Sequence, residues 1–208
     1  GSGHDVIWSL LELEDGFLLV GGGSSDDGDL TGSGWHGLGD IWVVRIDFVG
    51  NILWQKCFGG SRFESAKNIH RTVDDEFIIT GLTESQDGDV TDNHSLSEYD
   101  NDIWIIKLNS EGELISQQCI GGLGNEIVDF GVVKKSDNNF VIAGQTDYGP
   151  SFDVACTPHG GNGIDRDLWV FEIDSVDTSG IIGSQFIQNS IKVYPNPAKD
   201  YVCFEYIL

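Results

Sequence analysis

Two loops of the chain carry carboxylates at a spacing that could bind a cation. Asp-Gly-Asp runs stand at 27–29 and at 87–89, so each loop has two carboxylates separated by a glycine. Such a run turns tightly and can aim oxygens at one centre, as half of an EF-hand loop does. We do not predict an EF-hand, because we recognise no bidentate glutamate at the twelfth position of the motif. Ca²⁺ remains a candidate ligand of Asp27, Asp29, Asp87 and Asp89, and an Asx-turn that caps backbone is the alternative.

These two loops and the equivalent third loop each carry a histidine upstream of an aspartate that opens the next strand. The pairs are His36 with Asp40, His94 with Asp102, and His159 with Asp167. A carboxylate can orient an imidazole for acid–base work or for metal binding. We expect a structural hydrogen bond instead, because a catalytic residue is rarely copied into every repeat.

The third loop, residues 146–167, departs from the first two. Tyr148, Phe152, Cys156 and Arg166 break the pattern of the other loops. Specificity is expected where repeats differ, so we predict a ligand-binding role for Tyr148, Phe152, His159 and Arg166. The chain contains no GxSxG, HExxH or phosphate-loop motif, so no known catalytic constellation is indicated.

These loops belong to a segment that occurs three times. DGFLLVGG (15–22), DEFIITGL (75–82) and NNFVIAGQ (138–145) are each followed by an acidic loop and an apolar strand opening with Asp-Ile-Trp or Asp-Leu-Trp. A period of about 60 residues built from short β-rich runs predicts a repeat architecture. The near-continuous apolar runs are typical of strands covered on both faces.

Four antiparallel strands per repeat with both faces buried predict the blades of a β-propeller, and a flat β-solenoid is the runner-up. The blades are expected at about 1–59, 60–121 and 122–174, followed by a linker at 175–190 and a tail at 191–208. No fourth strand is recognisable in the third repeat. We expect Trp42, Trp104 and Trp169, which recur at one position, to anchor blade packing.

Three blades do not close a propeller, for which four to eight are typical. Residue 1 aligns with the middle of a repeat motif, so we expect the chain to be part of a longer protein. Further blades or a second chain would then be needed for closure.

Composition limits the classes of partner. The chain has 11 basic and 34 acidic residues and a net charge of −23. Such a surface repels phosphate backbones and anionic membranes, which argues against nucleic-acid binding. It favours hard cations such as Ca²⁺, and solubility alone is the alternative explanation. No apolar run reaches the length of a membrane span.

The four cysteines give no metal or redox motif, because no CxxC pair occurs. Cys57 and Cys119 occupy the same repeat position, and we predict that both are buried and free. A bridge between Cys156 and Cys203 stays open.

The tail carries the most specific resemblance. Val193, Tyr194, Pro195, Asn196, Pro197 and Asp200, followed by the alternating run 201–206, resemble the start of the C-terminal sorting domain of Bacteroidetes type IX secretion substrates. Residues 1–174 resemble propeller repeats of Bacteroidetes surface proteins. The resemblance implies export by the type IX machinery to the outer-membrane surface or the extracellular space, and it implies no activity.

The functional expectation is therefore a secreted or cell-surface scaffold or binding module for a glycan, protein or matrix ligand. A hydrolase or lyase acting on polysaccharide at the propeller face is the alternative. A third reading makes the region a spacer ahead of the sorting tail. Repetition of most polar residues favours a scaffold, because an enzyme needs unique polar residues in one repeat.

Overall fold

The computed structural model describes residues 1–136, 139–154 and 166–173. Every regular element in these ranges is a β-strand except one 3₁₀ turn, Gly28–Leu30. Within them, no helix is long and apolar enough to cross a membrane. The all-β prediction is confirmed.

The strands form three antiparallel sheets in chain order. Sheet 1 contains β1 Val6–Leu13, β2 Gly16–Gly23, β3 Asp40–Asp47 and β4 Ile52–Phe58. Sheet 2 contains β5 Glu64–Arg71, β6 Phe77–Thr83, β7 Asp102–Leu108 and β8 Leu114–Ile120. Sheet 3 contains β9 Ile127–Ser136, β10 Asn139–Thr146 and β11 Asp167–Ile173. Each strand pairs with the next along the chain, so each repeat is an antiparallel meander.

The predicted four-stranded repeat is confirmed in sheets 1 and 2. Sheet 3 has three strands among the described residues, β11-β10-β9. The chain after β11, where a fourth strand would follow, lies outside the described residues. The described residues show stacked sheets and no closed ring, so propeller closure remains a prediction. The linker at 175–190 and the tail at 191–208 lie outside the described residues.

Sheet 2 is covered on both faces, as its continuous apolar strands predict. Ile79, Trp104 and Ile106 share one buried cluster with side chains of sheet 1. Ile78, Ile103 and Ile105, which alternate with them, share a second cluster with sheet 3. Every residue of β6 and β7 is buried. The sheets are therefore held together by packing between sheet faces.

The three recurring tryptophans, which we expected to anchor packing between blades, differ in how far they are buried. Trp104 is fully buried and Trp169 is nearly so, whereas Trp42, on the face of sheet 1 that no described sheet covers, is half-buried. Trp42 and Trp104 donate their indole N–H to Gln55 and Gln117 at 3.0 and 2.7 Å. Cys57 and Cys119 are buried and free, as predicted.

Candidate functional site

The Asp-Gly-Asp loops bind backbone of the segment that opens the same repeat. Asp27 accepts a hydrogen bond from the Ser2 amide at 2.6 Å, and Asp87 accepts one from the Ser61 amide at 2.8 Å. These amide donors hold the pKa values of both exposed carboxyls below their usual range. The first aspartate of each run therefore caps backbone outside its own loop.

The second aspartates differ from each other. Asp89 exchanges two hydrogen bonds with Gly59: its carboxylate accepts from the Gly59 amide at 3.2 Å, and its own amide donates to the Gly59 carbonyl at 2.9 Å. The carboxylate of Asp29 is exposed, and its backbone carbonyl accepts from the side chain of Gln55. Among the described residues, no three His, Cys, Asp or Glu side chains are grouped to hold a metal ion.

The expectation that a glutamate is missing at the twelfth position is wrong for the second loop. Counted from Asp87, Glu98 stands at the twelfth position, and Asp92 at the sixth has φ 61 where an EF-hand has glycine. Glu98 nevertheless forms an ion pair with Arg62 and is not turned towards the other carboxylates as a ligand set requires. Calcium binding by these loops stays a prediction.

The first two His–Asp pairs form as predicted. The Nδ1 atom of His36 lies 2.7 Å from Asp40, and that of His94 lies 2.8 Å from Asp102. In both pairs the same carboxylate oxygen also accepts the backbone N–H of the histidine at 2.9 Å. The hydrogen bond to Asp102 raises the pKa of His94. His159 lies outside the described residues.

Each buried aspartate of these pairs lies beside a buried glutamate at the start of the next repeat's first strand: Glu64 opens β5 and Glu126 directly precedes β9. Backbone hydrogen bonds of 2.7 Å set this position, from Glu64 N–H to the carbonyl before Asp40 and from Glu126 N–H to the carbonyl before Asp102. A Cβ on Gly121 would stand 2.4 Å from Asp102 Oδ1 and 2.7 Å from Glu126 Oε2. Glycine therefore makes room for the two carboxyls, which we call the junction carboxyl pair.

The junction carboxyl pairs are fully shielded from solvent. Asp40, Glu64, Asp102 and Glu126 have no exposed surface. Burial raises the pKa of Glu126 to about 7 and also raises the pKa of Glu64, with the neighbouring aspartate adding to both shifts. Asp40 and Asp102 each keep one buried oxygen, Oδ1, without a hydrogen-bond partner.

Glu126 itself is held in place by donors. Its carboxylate accepts from the Gly122 amide at 2.8 Å and from the Thr146 hydroxyl at 2.7 Å. Glu64 has the same arrangement with Gly60 and Thr83. The sequence analysis did not predict that Glu64 and Glu126 pair with the aspartates, because the pairing joins neighbouring repeats.

The third loop brings together only part of its predicted set. The ring of Phe152 lies 4.5 Å from that of His94 and is 67% exposed, at a residue with φ 42. Asp153 accepts from the Gly121 amide at 3.1 Å, so it replaces Asp89 of the second loop. Tyr148 is half-buried and Arg166 is exposed. Cys156 and His159 lie outside the described residues.

A second candidate group was missed at the sequence level. Three residues stand at one equivalent position of the repeats, each three places after an acidic residue: Trp8 after Asp5, Lys67 after Glu64 and Asp129 after Glu126. The Lys67 ammonium lies 4.8 Å from the centroid of the Trp8 ring and 3.6 Å from the Asp129 carboxylate. We call these three residues the bulge row. The sequence feature that could have indicated this group is that one repeat position carries three different side-chain types.

Comparison with known proteins does not assign the chain to a family. No protein-family model matches the chain, and no curated protein matches it significantly.

Proposed function

We propose that the chain is a non-catalytic binding or scaffold module of a cell-surface or secreted protein. The observation that carries the proposal is the use of the repeated polar residues. The His36–Asp40 and His94–Asp102 pairs bind loop backbone through fully buried carboxylates. Groups engaged in this way stabilise a scaffold, and the unrepeated surface is left for recognition.

The same geometry weighs against the alternative of a polysaccharide hydrolase or lyase. A carboxyl with a pKa near neutrality beside a second carboxyl is what acid–base catalysis on sugars uses. Glu126 and Asp102 have those features, yet neither has surface that a substrate could touch. The pair therefore favours a structural role in this fold.

Recognition at the loop end of the sheets is supported by the third loop. Phe152 presents an exposed ring beside His94, and the equivalent positions of the first two loops carry Gly28 and Gly88. An exposed aromatic held by a buried pair is a suitable anchor for a glycan or protein ligand. Tyr148, His159 and Arg166 remain proposed members of the same site.

The proposal is tested by screening the chain against glycans and extracellular-matrix proteins, and then comparing Phe152→Ala with Phe48→Ala. Phe48 is the control, because it is also an exposed phenylalanine, at 56%, and lies in the turn between β3 and β4 outside the third loop. We expect Phe152→Ala to weaken binding at least about tenfold, whereas Phe48→Ala leaves it within about twofold. Equal affinity of both variants would remove Phe152 from the site, and no binding by the wild type would support the spacer reading.

Calcium is proposed as a ligand of Asp27, Asp29, Asp87 and Asp89 and is tested by thermal melts with Ca²⁺ and with chelator. Saturation at about 100 times the dissociation constant would stabilise the fold by ~2.7 kcal/mol. Asp27→Ala with Asp87→Ala should abolish the shift, although the variant also loses two backbone caps. The informative quantity is therefore the difference between the two melts of each protein. Identical wild-type melts would reduce these loops to backbone caps.

Export and assembly are proposed on the resemblance alone. The type IX machinery would recognise a sorting domain that begins at the tail 191–208, and the protein would reach the outer-membrane surface. Protease treatment of intact cells followed by immunoblotting tests this, since protection of the protein would contradict it. Closure into a propeller by further blades or by a second chain is tested by light scattering and small-angle X-ray scattering.

A further inference from the structure

The first strand of each sheet has an irregular pairing with its neighbour at an equivalent place. Trp8 is the unpaired residue between Ile7 and Ser9 in β1, and Lys67 is the unpaired residue between Ala66 and Asn68 in β5. In β9 the pairing skips from Ile127 to Gly131, a gap that contains Asp129. A bulge re-aims the side chain of the extra residue and is frequent beside functional sites.

A glycine on the neighbouring strand accommodates every bulge. A Cβ on Gly81 would stand 2.3 Å from the Ser65 carbonyl oxygen, and a Cβ on Gly144 would stand 2.5 Å from that of Ile127. Gly21 is under the same constraint from Val6. The repeats therefore preserve the bulge, whereas they do not preserve the side chain that it displays.

The displayed side chains meet across the three sheets. Lys67 lies between the Trp8 ring and the Asp129 carboxylate, at 4.8 and 3.6 Å. Trp8 is 55% exposed and the Asp129 side chain 42% exposed, whereas that of Lys67 is 19% exposed. The exposed indole of Trp8 therefore lies next to an ion pair, the Lys67 ammonium with the Asp129 carboxylate, which has no net charge.

We propose that the bulge row is a subsite for a neutral glycan. The apolar face of a pyranose ring stacks on an exposed indole, and its hydroxyls pair with the carboxylate as donors and with the ammonium as acceptors. Specific sites combine such an apolar surface with a few placed polar groups. Acidic polysaccharides are disfavoured by the net charge of −23. The inference rests on the proposed binding function and names a subsite distinct from the third loop.

The test is calorimetric titration of the whole chain with neutral hexasaccharides, namely cellohexaose, xylohexaose, mannohexaose, laminarihexaose and chitohexaose. Trp8→Ala and Asp129→Asn are compared with Tyr99→Ala, an exposed aromatic outside the row. Circular dichroism and melting temperature confirm that each variant is folded. A row that only joins the sheets would change the melting temperature and leave affinity unchanged.

We expect at least one hexasaccharide to bind. Trp8→Ala should lower its affinity about thirtyfold or more and Asp129→Asn about tenfold, and Tyr99→Ala should stay within about twofold. Binding unchanged in folded Trp8→Ala, or no binding of any hexasaccharide to the wild type, overturns the subsite. The proposed function would survive either result if a ligand is lost in Phe152→Ala or if a matrix protein binds.

Discussion

Replacing Glu126 by glutamine should remove a pH dependence from the stability of the fold. Glu126 is fully buried beside Asp102, and burial raises its pKa from 4.5 to about 7. The folded state therefore holds a proton that the unfolded state releases at lower pH. The stabilisation by this proton is complete below about pH 4.5 and is lost as pH rises through about 7.

The magnitude follows from the shift in pKa. A difference of one pKa unit corresponds to about 1.4 kcal/mol, so the full effect is about 3 kcal/mol. The free energy of unfolding should fall by about 2 to 3 kcal/mol between pH 5 and pH 8. The lower limit of pH 5 keeps the protein above its isoelectric point of about 4.1. Glu126→Gln has no charge to lose, and its amide can face the unpartnered Asp102 Oδ1. The variant should therefore match the wild type near pH 5 and exceed its stability at pH 8.

Urea unfolding at fixed ionic strength, at pH steps from 5 to 8, measures this difference. Glu12→Gln is the control, because it removes the same charge from an exposed side chain of β1. The pKa of His94 is also raised, so its titration lowers the stability as pH rises. This contribution is common to wild type, Glu126→Gln and Glu12→Gln. A stability difference between Glu126→Gln and wild type that stays constant with pH, as in the control, would refute the proton held by the junction carboxyl pair.

Two further predictions concern backbone and thiol environments. Gly81→Ala would bring its Cβ to 2.3 Å from the Ser65 carbonyl oxygen, whereas Gly131, in β9, has open space. We expect urea unfolding to show a loss of more than about 2 kcal/mol for Gly81→Ala and less than about 1 kcal/mol for Gly131→Ala, and similar losses would contradict the bulge constraint. Burial raises the pKa of Cys57 to about 11 and that of Cys119 well above its usual value. Peptide mapping after iodoacetamide treatment at pH 8 should find neither alkylated before unfolding, and native alkylation would contradict their burial.

The sequence predicted what depends on periodicity. Continuous apolar strands such as Phe77–Thr83 indicated a sheet covered on both faces, and the structure shows this. The His36–Asp40 and His94–Asp102 bonds were predicted although their spacings differ. In both repeats the carboxylate that opens the strand binds the ring Nδ1 and accepts the backbone N–H of the histidine, although the number of intervening residues differs.

What the sequence did not predict depends on contacts between repeats. Asp102 opens β7 and Glu126 directly precedes β9, and hydrogen bonds between residue 101 and residues 125 and 126 bring the two carboxyls together. The bulge at Lys67 needs the glycine on the paired strand, so neither residue alone indicates it. Periodic patterns describe one sheet, whereas these features arise where sheets meet.

The two equivalent tryptophans allow the stacking of sheets to be measured directly. Trp42 and Trp104 pair with the same strand positions, Gly21 and Gly81, and both donate to a glutamine. They differ in that sheet 1 covers Trp104, whereas no described sheet covers Trp42.

Removal of the side chain should therefore cost about 3–5 kcal/mol in Trp104→Ala and less than about half of that in Trp42→Ala, because only the first leaves a cavity between sheets. Urea unfolding of the two variants measures the difference. Equal losses would show that contacts within one sheet and the bond to glutamine dominate. A larger loss for Trp42→Ala would show that something covers the outer face of sheet 1 in solution, as closure by a second chain requires.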